Sequence, residues 1–196
     1  MSSKPLHEEH GGIDPAELQK YGLSMDSLID FSVNSNPFGP SPQVISALQQ
    51  VDVSRYPDRI CSELAKRLAN LNHVSETQLL LGNGSAELIW LIAHAFIRPG
   101  DNILIIGPTF SEYKKACERV GASVTEIRAM TPYFEPPLDN AHEVINKVQP
   151  RLVFLCNPNN PTGKNITKDK VQEFVRICSK DSTLVIDQAY SSFVNG

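Results

Sequence analysis

The chain has 196 residues, with 22 acidic against 18 basic side chains and a formal charge of -4. Such a length buries roughly 70 % of the unfolded surface, so a core is feasible without staples; mild acidity with no Lys/Arg block argues against nucleic acid or an anionic membrane as main partner. Cys61, Cys117, Cys156 and Cys178 lie far apart with no CxxC pair and read as reduced core or near-core thiols of a cytoplasmic protein, while the longest apolar run, LIWLIAHAFI, is too short to span a bilayer.

Residues 1–12 are polar, lack the apolar core of a signal peptide and end in a glycine pair, as a tail or an arm that orders over a ligand would. His7 and His10 frame HEEH, whose second histidine comes one residue too early for the HExxH zinc pattern, so no metal site is expected. Asp14 and Pro15 cap and open a short helix to about Tyr21. LIDFSVNSNPFGP is a brief extended run broken by turn formers. Ser41 and Pro42 then start a helix with Val44, Ile45, Leu48 and Val51 on one face, and a second helix, about Ile60 to Asn70, carries Leu64, Leu68 and Leu71. Between them, Tyr56 is held extended by Pro57, either as a surface turn or as a hydroxyl presented to a ligand.

From residue 79 onward strands and helices alternate at βα spacing. Leu79 to Leu81 read as a buried strand, followed by the turn Gly82-Asn83-Gly84 and a helix from Ser85 to about Phe96. A glycine turn feeding a helix amino terminus offers backbone N–H groups to an anion, although GNGS alone fits a plain structural turn equally well. GxGxxG fails at Glu87, and Walker A fails for want of a lysine after the turn. A strand at 102–106 leads through GPTFSEY into a helix from about Ser111 to Val120; Phe110, just past the strand end, suits core packing or the face of a flat ligand. SVTEIRA is a further strand, and a helix over about 140–148 returns the chain to LVFLC (152–156). KDKVQEFVRICSK places Val171, Phe174, Val175 and Cys178 on one helical face before TLVID (183–187). The resulting strand, helix, strand unit makes the last two strands parallel and brings Asn157–Gly163 and Asp187–Tyr190 out at one sheet edge, where open α/β sheets bind ligands. The fold class is therefore α/β, a three-layer open and mostly parallel sheet, with an arm and loop over 1–40 and a partial large domain over 41–196.

At that edge the sequence collects a phosphate turn, an aromatic (Phe110), an amide (Asn160), a carboxylate (Asp187) and a phenol (Tyr190). An acid, an amide and a phenol around a flat ligand with a phosphate tail describe a pyridoxal phosphate site, in which the carboxylate keeps the ring nitrogen protonated.

NPNNPTG, IDQAY, GNGSAE and GPTFSEY together resemble the class I/II aminotransferase family, fold type I of the pyridoxal phosphate enzymes, and the resemblance covers nearly the whole chain. It implies that Asn160 and Tyr190 meet the ring oxygen, Asp187 the ring nitrogen and Phe110 the ring face, and that Gly84, Ser85 and Ala86 form the phosphate turn. Ala86 stands where relatives often have an acid, and Gln188 where glutamate is usual. Tyr56 matches a tyrosine reaching the cofactor phosphate of a partner subunit, which implies a homodimer. HGG, LIDFSVNSNPFGP and TFSEY resemble the threonine-phosphate decarboxylase branch of cobalamin biosynthesis more than the histidinol-phosphate aminotransferase branch, and imply substrate contacts from His10 and Asn34 with a phosphorylated amino acid or amino alcohol. The family's Schiff-base lysine and carboxylate-binding arginines match beyond Gly196, so the resemblance covers the amino-terminal part only; Lys164 and Lys168 read as solvated surface. Either a longer enzyme or a non-catalytic cofactor-binding or dimerisation fragment fits, and an unpaired sheet edge with exposed apolar surface is expected.

Overall fold

A computed structural model describes residues 11–178 and 182–194. Its backbone contacts group into two units, Met1–Pro57 and Asp58–Gly196. The division after Pro57 puts the first long helix with the amino-terminal unit, whereas the sequence reading opens the large domain at residue 41.

In the amino-terminal unit, α1 (Pro15–Tyr21) starts as its sequence dictates, with Asp14 Oδ1 accepting from Ala16 N at 2.8 Å and proline in the first turn. It closes on Gly22 at φ 63°, a left-handed conformation that costs glycine little. α2 (Pro42–Gln49) is capped by Ser41, whose Oγ accepts from Val44 N at 3.3 Å. The apolar stripe of α2 is nonetheless open: Val44, Ile45, Leu48 and Val51 are between 42 and 63 % exposed.

In the second unit, α3 (Ser62–Asn72) and α4 (Gly84–Phe96) precede four strands. β1 (Asn102–Gly107), β2 (Ser123–Arg128), β3 (Leu152–Cys156) and β4 (Thr183–Asp187) form one parallel sheet in the order β2-β1-β3-β4. α5 (Glu112–Arg119), α6 (Leu138–Val148) and α7 (Lys168–Cys178) make the crossovers. β1 and β3 are buried almost throughout, and their alternate residues feed two cores. Ile103, Ile105, Leu152, Phe154 and Cys156 pack with Ile89 and Ala93 of α4 and Tyr113, Ala116 and Cys117 of α5. Leu104, Ile106, Val153 and Leu155 pack with Ala141 and Ile145 of α6 and Phe174 and Cys178 of α7. The chain runs from β1 outward to β2, then back past β1 to β3 and β4. Right-handed crossovers in opposite directions need opposite faces, which explains why α5 lies on one side and α6 and α7 on the other.

Two predicted features differ. Residues 79–81 form no strand, and Leu80 is 66 % exposed. A single turn at Glu76–Gln78, closed by a Ser75 and Gln78 capping box, leads straight into them, and no described strand pairs with this run, so its backbone lacks the ladder partner a strand requires. Cys61 is exposed, whereas Cys117, Cys156 and Cys178 are buried as expected. Burial pushes the Cys117 thiol up to about 12 and that of Cys178 to about 11, which keeps both protonated. β2 and β4 are the outer strands among the described residues, and Met130, Tyr133 and Phe193 are among the large apolar side chains left exposed. No described helix is long and apolar enough to cross a membrane.

Close packing of the β1 and β3 layer makes a stability prediction. Ile105→Val is expected to cost about 0.5–1.5 kcal/mol and to lower the urea midpoint at unchanged slope. Leu71→Ala, at a 74 % exposed position, is expected to stay within roughly 0.5 kcal/mol.

Candidate functional site

The crevice at the carboxyl ends of β1 and β3 is where the sheet changes direction, the point at which open α/β sheets admit ligands. Two loops leave it, 108–111 toward α5 and 157–167 toward α7. One side chain ties them together: Asn159 Nδ2 donates to the Pro108 carbonyl and to Thr162 Oγ1, both at 2.8 Å, and its Oδ1 accepts from Thr109 Oγ1 at 2.7 Å. Asn157 performs the same task deeper in the loop, pairing both ways with the Ile166 backbone at 3.1 and 2.7 Å while its own N–H donates to the Asp187 carbonyl at 2.9 Å. Two asparagines of the NPNN run thus satisfy loop backbone that would otherwise be buried without partners.

Asp187 ends β4 in register with Cys156 of β3. Its Oδ1 accepts from Ala189 N at 2.9 Å, and its Oδ2 accepts from the hydroxyl of Tyr113 at 2.7 Å. Tyr113 comes from the first turn of α5 and is fully buried. Its ring stacks on Phe154, with centroids 5.1 Å apart and planes at 17°, and Phe110 meets it edge-on at 5.9 Å. Burial is the first reason the Tyr113 hydroxyl titrates far above the ordinary tyrosine range, with Cys156 and Asp187 adding to it. Cys156, also buried, has its thiol raised mainly by desolvation, partly offset by bonds from Tyr113, the Asn160 N–H and Thr109. Phe110, Asp187 and the Asn160 backbone are therefore gathered around one Tyr113 and Cys156 pair. Tyr190 follows three residues after Asp187, half-buried, its ring 6.3 Å from that of Phe193.

α4 runs back against the sheet. Arg151, just before β3, donates to the carbonyl of Phe96 at the helix end, while Trp90 Nε1 donates at 2.8 Å to Glu112, which opens α5 just beyond the β1 terminus. The α4 amino terminus thus faces the same edge as Asp187. Gly84 opens the helix at φ 83°, no side-chain bond from Asn83 caps it, and Ser85 and Ala86 are exposed in its first turn. Glu87 folds back onto the N–H and side chain of Asn83 and so fixes the turn. Such an end, with N–H groups and the positive end of the helix dipole facing outward, suits an anion.

Gly84, Ser85, Ala86, Phe110, Asn160, Asp187 and Tyr190 accordingly lie in one unit at one sheet edge. Tyr56, fully exposed, and Asn34 belong to the other unit, and His10 lies outside the described residues. Lys164 pairs with Glu135, and Lys168 is exposed at the start of α7. Sequence reasoning missed Tyr113, Asn159, Thr109 and Cys156. For Tyr113 a signal was present: it stands three residues after Phe110, the spacing that puts two side chains on one side of a helical turn. Asn159→Ala is expected to strip Thr109 and Pro108 of their shared partner and to lower stability by about 1–3 kcal/mol, read from chemical denaturation.

The donor set, a carboxylate with both oxygens held, a stacking aromatic and an open helix amino terminus, fits a flat cationic ring bearing a phosphate. Comparison with known proteins gives the family. Residues 26–196 match the family model "Aminotransferase class I and II". The chain is 35 % identical over 183 residues to a histidinol-phosphate aminotransferase of Caldicellulosiruptor saccharolyticus, covering 92 % of this chain and 50 % of that protein. It therefore spans about half the length of the curated relatives it matches. Histidinol-phosphate aminotransferase from Sinorhizobium meliloti, solved in complex with pyridoxal-5'-phosphate, shares the fold at a TM-score of 0.82 and 23 % identity, over 94 % of this chain and 50 % of that one. L-threonine-O-3-phosphate decarboxylase from Porphyromonas gingivalis aligns at 0.61 and 28 % identity, over 78 % and 44 %. The chain belongs to the aminotransferase class I and II family.

Proposed function

We propose that this chain is the cofactor-binding part of a pyridoxal phosphate-dependent aminotransferase acting on a phosphorylated substrate, with histidinol phosphate as the amino donor or product. The observation that carries the reading is Asp187, a strand-end carboxylate with each oxygen already held by one donor of the chain. In this reading Asp187 meets the protonated ring nitrogen through a charge-assisted bond worth about 1.5–3 kcal/mol. Asn160 and Tyr190 orient the ring oxygen, Phe110 covers one ring face, and the first turn of α4 at Gly84, Ser85 and Ala86 takes the phosphate. Pyridoxal phosphate, when bound, supplies the electron sink for breaking a bond at the substrate α-carbon. Tyr56 serves the phosphate of a partner subunit in a homodimer, and His10 and Asn34 meet the substrate.

The name of the Caldicellulosiruptor relative supports transamination, which reverses the preference drawn from HGG, LIDFSVNSNPFGP and TFSEY. Decarboxylation of threonine phosphate is the second reading, supported by those segments and by the likeness to the Porphyromonas structure. The two differ in which substrate bond stands across the cofactor ring, a matter of orientation rather than of the groups at the ring.

Protein purified from its natural source is expected to transfer an amino group from glutamate to imidazole-acetol phosphate. Carbon dioxide release from threonine phosphate, without amino transfer, would favour the second reading, and neither reaction would leave a non-catalytic binding role. In the active protein, Asp187→Ala is expected to remove at least roughly 100-fold of the rate, as expected for an electrostatic contact made at the reacting ring. Unchanged circular dichroism should accompany the loss; near-normal turnover would dismiss the assignment.

A further inference from the structure

The hydroxyl of Tyr113 crosses the sheet to reach Asp187. Tyr113 sits on α5, directly after β1, and its acceptor ends β4, with β3 lying between them. Neighbouring strands are about 4.8 Å apart, so the bridge needs a side chain that is both long and stiff. The path is held from two sides: the ring lies on Phe154 of β3 and is braced by the edge of Phe110. The phenol is wholly buried, and a buried hydroxyl must spend its proton on an acceptor.

The choice of donor has a chemical consequence. A lysine or arginine here would neutralise the carboxylate. A phenol kept protonated by burial orients it as a neutral donor, with no opposing charge brought beside it. Oδ1 is held from the other side by Ala189 N–H, so the two donors together set the carboxylate plane.

We propose that Tyr113 is a positioning residue, a neutral donor that fixes the plane of the Asp187 carboxylate toward a protonated ring nitrogen. The inference rests on the cofactor reading above and extends it to a residue that need not touch the cofactor.

The chain has a single tryptophan, Trp90 in α4, whose fluorescence should be quenched by pyridoxal phosphate bound at the α4 amino terminus. Titration with pyridoxal phosphate and with its analogue carrying carbon in place of the ring nitrogen reads the nitrogen contact as a ratio of affinities. General loosening of the site weakens both ligands alike and leaves that ratio unmoved. The unsubstituted chain is expected to prefer pyridoxal phosphate, and Tyr113→Phe, which keeps both ring contacts, to narrow the preference by roughly 3- to 10-fold. Tyr113→Phe is expected to have no further effect on the ratio in an Asp187→Ala background. Ala189→Pro, which deletes the other donor to the carboxylate, is the second variant and is expected to narrow the ratio as well. A full preference retained in both Tyr113→Phe and Ala189→Pro overturns the positioning role while leaving the cofactor reading standing. Equal narrowing by Tyr113→Phe with and without Asp187 also overturns the positioning role alone. Absence of any preference in the unsubstituted chain overturns the nitrogen contact itself and this inference with it.

Discussion

A strand that is apolar on both sides is stable only between two layers of helix, and β1 and β3 are such strands. Their burial forces every polar group of the region to the strand ends, because along the strands there is no water to receive one. The neighbours of this central pair then lie outward on either side, so a crevice opens between the two ends. The architecture of this unit follows from that constraint. Asn157 and Asn159 satisfy the loops, Asp187 and Tyr113 share one hydrogen bond, and the α4 amino terminus supplies the remaining donors at the same edge.

The chemistry of the site is correspondingly economical. One face of the sheet contributes an aromatic stack from Phe154 through Tyr113 to Phe110, and the Tyr113 hydroxyl ends on the Asp187 carboxylate. No group of three or more His, Cys, Asp or Glu side chains among the described residues could hold a metal ion. Nor does the reactive potential lie in the buried thiols. Burial raises the pKa of Cys117, Cys156 and Cys178 alike, which leaves them in the poorly nucleophilic protonated form.

Much of this was legible in the amino-acid sequence because local rules and tertiary needs coincide there. Asp14 and Ser41 announce their helices through side chains that satisfy first-turn N–H groups, and 102–106, 152–156 and 183–187 announce strands through short runs rich in Val, Leu and Ile. The placement of Asp187 and Asn160 at one sheet edge was legible because parallel strands joined by a crossover helix end on the same side. Residues 79–81 misled for an equally physical reason: three leucines in a row state that something apolar is required, without stating whether a neighbouring strand exists to complete the ladder. Tyr113 was hidden by its own helix. Within EYKKACER it reads as an ordinary core aromatic, and nothing local reveals that its hydroxyl ends on a carboxylate 74 positions later. The stripes of α2 and α3 are apolar in sequence, yet spacing carries no information about what covers them, and Leu48 and Leu71 stand exposed.

The link from Asn159 to Thr109 and Pro108 bears on the thermodynamics of ligand capture. Two loops that moved independently would each lose conformational freedom when a ligand settled between them, and that loss would be subtracted from the affinity. Joined through one amide, they are already a single mechanical body before anything arrives. The entropy was surrendered during folding, when the buried strands could offset it. A ligand entering this crevice therefore meets a preorganised rim, and ordering either loop orders both.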